Sequence, residues 1–127
     1  TIHILNNYFN EDIYNQISLD FKNHYNTPSY LIKLIEYFKE NNIDFADISI
    51  EKFLLHIFKS KNFKSNTFIN ENLNYFIELF FYKNISITKK ISFKTKDYFY
   101  LKFHQIKNYN LDIDSFFMEF EEKLLSE

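Results

Sequence analysis

The chain has no cysteine, glycine, tryptophan or arginine, one proline (Pro28) and one alanine (Ala46). Without cysteine there can be no disulfide, thiolate nucleophile or zinc–thiolate site, and the chain reads as an intracellular, cytoplasmic protein. Without glycine there is no phosphate-cradling loop of the P-loop or dinucleotide kind, and no nucleophile elbow. Without arginine there is no bidentate grip on phosphate, carboxylate or guanine. No run of about 18 apolar residues is present, so no membrane span is expected. The opening TIHILNNYF lacks the basic start and apolar stretch of a signal peptide. Asn, Lys, Ile, Phe and Tyr dominate instead, and their codons are A/T-rich, the imprint of an AT-rich genome.

What is present suits one small helical domain. A length of 127 residues favours a single domain, 1–127, able to bury a core without staples. The apolar fraction is 46% and the charged fraction 25%, both ordinary, but 17 Phe and 10 Tyr raise the aromatic share to 21%. The core is therefore expected to be built from Phe, Ile, Leu and Tyr. The net charge of −2 is unevenly spread. Lys83, Lys89, Lys90, Lys94, Lys96, Lys102 and Lys107 face only Asp97, after which Asp112, Asp114, Glu119, Glu121, Glu122 and Glu127 face only Lys123. Either the two segments neutralise each other within one fold, or the first presents a cationic face to an anionic partner.

Apolar spacing predicts an all-α protein, a compact bundle of about five to six short helices, with a small β-hairpin in 91–103 as the alternative there. Asn10 caps a first helix, with Ile13, Ile17 and Phe21 on its stripe. Thr27 and Pro28 open a second, carrying Leu31, Leu34, Ile35 and Phe38, which Asn41 and Asn42 close. An apolar link (Ile43, Phe45, Ile48) leads to Ser49, the cap of a third helix with Phe53, Leu54 and Ile57 inward. KSKNFKSNTF breaks the pattern, and Ser65 or Thr67 caps a longer helix with Phe68, Leu73, Phe76, Ile77, Phe80 and Phe81. Between 85 and 103 the pattern alternates, so strands at 91–94 and 98–103 compete with a helix over 97–108 that would use Phe99, Phe103 and Ile106. Asp114 caps a last helix with Phe116, Phe117, Phe120 and Leu124 inward.

Chemistry is sparse. His3, His24, His56 and His104 lack metal-ligand spacing, and paired carboxylates occur only in the acidic tail. NLDIDSFFMEFE puts Asn110, Asp112, Asp114 and Glu121 at calcium-loop positions, but Ser115 stands where the sharp turn needs glycine, so a turn with an Asp cap is the reading adopted. No enzyme activity, metal, cofactor, membrane or small-molecule substrate is expected.

Residues 26–88, read as NTPSYLIKLIEYFKENN, IDFADIS, IEKFLLHIF and FKSNTFINENLNYFIELFFYKNISI, resemble the SAM-like, N-terminal core-binding domain of tyrosine recombinases and phage integrases. That domain forms half of a clamp on DNA, so the resemblance implies a helical DNA-contacting domain. It implies phosphate contacts from Lys61, Lys64, Ser65, Asn66, Thr67, Asn70 and Asn74, with Tyr30 and Lys33 on the first matched helix. Two departures stand against it. The matched region is charge-balanced, and the recombinase chemistry needs arginines and a tyrosine nucleophile carried by a separate domain.

The expected function is thus a non-catalytic helical domain contacting DNA, integrase-like in its relation. Lys61, Lys64, Ser65, Asn66, Thr67 and Asn70 would act with Lys89, Lys90, Lys94 and Lys96, and Tyr98, Tyr100 and Tyr109 would offer rings to bases or sugars. The alternative is a protein–protein interaction module (adaptor, inhibitor or immunity-type) with an aromatic-rich surface. A winged helix is the structural rival if 91–103 forms a hairpin.

Overall fold

A computed structural model of the chain describes residues 17–21, 27–109 and 112–125. Among these residues the fold is all-α, with six α-helices and no strand. The helices are α1 (Pro28–Glu40), α2 (Ile50–Ser60), α3 (Asn62–Ser65), α4 (Thr67–Tyr82), α5 (Phe93–Tyr109) and α6 (Ile113–Phe120). A 3-10 turn, Leu19–Phe21, precedes α1, and π-turns Lys83–Ile87 and Glu121–Leu125 extend α4 and α6. No described helix is long and apolar enough to cross a membrane. The chain divides into two compact units, Thr1–Phe53 and Leu54–Glu127. The division falls inside α2 rather than in a loop, which is why no linker marks it in the sequence.

In the first unit, α1 starts and stops as its end residues dictate. The Thr27 hydroxyl accepts from the Tyr30 N–H at 3.2 Å, and Pro28 sits where its missing N–H costs nothing. At the other end Asn42 takes φ 57°, the left-handed conformation usually supplied by glycine. The Ile43 N–H then reaches the Phe38 carbonyl at 2.8 Å and the Asn42 N–H the Lys39 carbonyl at 3.3 Å, the paired bonds of a Schellman ending. Leu31, Leu34, Ile35 and Phe38 are fully buried. The rings of Phe21, Phe38 and Phe53 meet edge to face, with centroids 5.2–5.5 Å apart.

The helix expected from Asn10 lies mostly outside the described residues. Its last part is not α-helical: Ile17 and Phe21 are buried as expected, but in a bend and a 3-10 turn. The reason is tertiary: polar groups of this segment are bonded to distant parts of the chain. The Ser18 N–H donates to the Phe45 carbonyl at 2.8 Å, and the Asp20 carboxylate accepts from the Ile50 N–H at 2.9 Å. Asp20 therefore caps α2 from 30 residues away, beside the expected Ser49 cap, whose hydroxyl accepts from the Lys52 N–H at 3.2 Å.

The second unit closes on phenylalanine. Phe58 stacks on Phe117 at 4.2 Å, Phe63 meets Phe117 edge-on at 4.6 Å, and Phe120 is enclosed by Phe80, Phe81, Phe99 and Phe116. Two expected caps move by a residue or two. The Asn66 side chain, not Ser65 or Thr67, accepts from the Ile69 N–H at 3.0 Å, because 62–65 already forms a helical turn that α4 continues. Asp112, not Asp114, caps α6, accepting from the Asp114 N–H at 2.9 Å and the Ser115 hydroxyl at 2.8 Å. These bonds hold the Asp112 carboxyl below the usual carboxylate range, that from Ser115 first. The calcium-like run is thus a capped helix from Ile113 onward; Asn110 and Leu111 lie outside the described residues. Asn66→Ala should cost about 0.5–2 kcal/mol in a urea melt, the usual loss for removing a cap.

The hairpin does not form. In a strand Phe99, Leu101 and Phe103 would share one face. In α5, Phe99 and Phe103 are buried at 2% exposure while Leu101 is 61% exposed, the helical outcome. Ser92 starts the helix, accepting from the Thr95 N–H on its hydroxyl at 3.3 Å and from the Lys96 N–H on its carbonyl at 3.2 Å. This places the start four residues before the expected 97, and it removes the winged-helix rival.

Candidate nucleic-acid interface

The segment between α4 and α5 is shaped by one buried polar side chain. Asn84 is 5% exposed. Its amide nitrogen donates to the Phe80 carbonyl at 2.9 Å, its amide oxygen accepts from the Thr88 hydroxyl at 3.4 Å, and its carbonyl accepts from the Ile91 N–H at 3.0 Å. The π-turn and the following bend are stitched together around it. Lys89 then takes a left-handed φ of 55°, and Lys89 and Lys90 emerge into solvent. Nothing in the sequence marks this role, since one Asn among many carries no periodic signal. Asn84→Ala removes two side-chain hydrogen bonds, to the Phe80 carbonyl and from the Thr88 hydroxyl, and should cost about 1–3 kcal/mol at about 0.5–1.5 kcal/mol each, read as a drop in the urea midpoint.

Beyond the turn lies a cleft of about 660 Å³. Lys90, Lys94 and Lys123 supply its cationic lining, Ser92 and Thr95 its hydroxyls, and Ile91, Tyr98 and Leu124 its apolar floor. Its size is that of ordinary ligand sites. Lys90 and Lys94 are exposed, and among the described residues neither has an acidic partner within ion-pair distance. Lys123 reaches in from the π-turn after α6, with its ammonium 5.6 Å from the Tyr98 ring centre. The sequence assigned Lys123 to the acidic tail and Leu124 to the core; Leu124 is half-buried at the cleft instead.

A charged network fixes this wall. The Tyr98 hydroxyl donates to Glu119 at 2.7 Å, and the Lys102 ammonium donates to Glu119 at 2.8 Å and to the Tyr98 hydroxyl at 3.2 Å. The Lys102 hydrogen bond, then that of Tyr98, holds the Glu119 carboxyl below its usual range; Glu119 and then Tyr98 push the Lys102 pKa up. Glu119 is thus matched by Lys102, leaving the charge of Lys90 and Lys94 uncompensated by it.

The other expected contact residues are not in this cleft. Lys61 (φ 58°), Ser65 and Thr67 are exposed around the start of α4. Lys64 pairs with Asp114 at 2.7 Å, Asn66 is the cap described above, and the Asn70 amide donates to the Phe63 carbonyl at 3.0 Å. Asn74 is half-buried. The two lysine groups flank opposite ends of α4, whose 16 residues span about 24 Å and carry Glu71 and Glu78 but no lysine. Tyr30 is half-buried and Lys33 exposed on α1 of the first unit.

Lys96 turns to a second, smaller cleft of about 430 Å³, where its ammonium lies 5.4 Å from the Tyr100 ring centre. Burial, then the charge of Glu78, raises the Tyr100 pKa. The side chain of Tyr109 lies outside the described residues. Among the described residues no group of three or more His, Asp or Glu side chains could hold a metal ion.

His56, on α2, has its pKa lowered from 6.5 by burial. The unfolded chain therefore takes up the proton first, so stability should be full above about pH 6.5 and fall as the pH drops through that value. His56→Gln should flatten the change in urea midpoint between about pH 7.5 and 5.5. An unchanged profile would show that His56 is not its source.

No family model matches the chain, and no curated protein or solved structure matches it.

Proposed function

We propose that this is a non-catalytic helical domain that contacts DNA, the part played by a core-binding domain in integrase-like proteins. The supporting observation is the convergence of Lys90, Lys94 and Lys123 on one concave cleft with the Ser92 and Thr95 hydroxyls. Lys90 and Lys94, which have no acidic partner within ion-pair distance among the described residues, lose little by meeting a phosphate, and they gain by releasing its counterions. With no arginine to read base edges, the contacts are to the backbone, so sequence preference is weak and salt dependence steep. Fluorescence anisotropy with labelled oligonucleotides at about 50 mM salt tests the proposal. Binding in the range of about 10⁻⁴–10⁻⁶ M or tighter is expected.

A second reading, a protein-interaction module, draws on Tyr82 and Phe93. They are 64% and 67% exposed and line the second cleft. Absence of DNA binding up to about 100 µM protein would overturn the first reading in favour of this one.

A further inference from the structure

We infer that the cleft at the start of α5 takes an unpaired nucleotide, and so a single strand or a frayed end in preference to an intact duplex. The inference rests on the DNA-contacting reading and specifies its ligand.

The lining has two chemistries. Lys90, Lys94 and Lys123, with the Ser92 and Thr95 hydroxyls, suit a phosphate. Ile91, Leu124 and the Tyr98 ring suit something flat and apolar. An intact duplex offers its phosphates outward but keeps its base faces stacked inside, so it would cover the lysines and leave the apolar floor in water. An unpaired nucleotide offers both at once, a charged group joined to a π-face. Tyr98 is 46% exposed, its hydroxyl is tied to Glu119, and the Lys102 and Lys123 ammoniums lie 5.4 and 5.6 Å from its ring centre, so the ring is held in place before any ligand arrives. The volume of about 660 Å³ suits a nucleotide or two, not a length of duplex.

Free nucleotides share this chemistry with a strand, so the test must separate them. The chain is titrated into a labelled single strand, a blunt duplex of the same sequence and inorganic polyphosphate, all at one salt concentration. The single strand should bind about tenfold or more tighter than the duplex, the scale of one base–aromatic contact. Tyr98→Ala should reduce that preference, while Tyr98→Phe, which keeps the ring, should retain it. Ile91→Asn tests the floor without touching the Glu119 network, and it too should lower the preference. Thermal melts of each variant confirm that it is folded. Equal affinity for strand, duplex and polyphosphate would overturn the inference while leaving the phosphate reading in place. Loss of binding to all of them would overturn both. Competition by a mononucleotide at the strand's own concentration range would assign the cleft to a free nucleotide and overturn the strand as its source.

Discussion

Phe120→Ala is expected to lower the free energy of unfolding by about 3–5 kcal/mol, the usual loss for emptying a buried phenylalanine site. Phe120 has no exposed surface. Its ring centre lies 5.3 Å from Phe80 and Phe99, 5.7 Å from Phe58 and 5.8 Å from Phe81. These rings come from α2, α4 and α5, so the cavity would open where three elements of the second unit meet α6. Rigid rings collapse poorly into such a space, which favours the upper part of the range. Phe120→Leu, which keeps most of the volume, should cost less. Urea denaturation followed by circular dichroism measures both. A loss below about 1 kcal/mol would place Phe120 outside the core.

Charge reversal at Lys90, Lys94 and Lys123 together should remove DNA binding to below the weak limit of about 10⁻⁴ M. With about three phosphates engaged, the log–log salt slope should be near −2.7 for a duplex and about −2.1 for a single strand. Affinity should then fall roughly 20- to 40-fold between 50 and 200 mM salt. Replacing the three lysines by alanine should bring the slope close to zero, whatever the DNA sequence. Reversal at Lys61 and Lys64 should matter less, because Lys64 is already paired with Asp114. The reverse ranking would move the interface to the turn before α4, where the resemblance had put it.

Helices in the sequence were legible where apolar spacing and end residues agreed. Thr27–Pro28 and Asn41–Asn42 bracket α1 as expected, and Leu34, Phe38, Phe53, Leu54, Phe76, Ile77 and Phe80 are all buried. Caps were less legible, because Ser, Thr, Asn and Asp crowd every boundary and any of them can accept the bond. Asn66 and Asp112 prevailed over neighbours of equal chemistry. The alternating stretch at 91–103 was ambiguous because Phe99 and Phe103 fit either period, and only the exposure of Leu101 decides it. The cleft was half legible. Lys90 and Lys94 stood out as charge in a basic segment, whereas Lys123 joins them through tertiary packing, and Asn84 shapes the turn through bonds that leave no pattern in sequence.

The most direct test of the cleft as a DNA-binding site is a titration of the ¹⁵N-labelled chain with a short oligonucleotide, followed through backbone amide resonances. The largest shifts should fall on residues 90–98 and on Lys123 and Leu124, saturating together and weakening with salt. Shifts centred on residues 61–70 instead, or none at oligonucleotide concentrations up to about 100 µM, would contradict it.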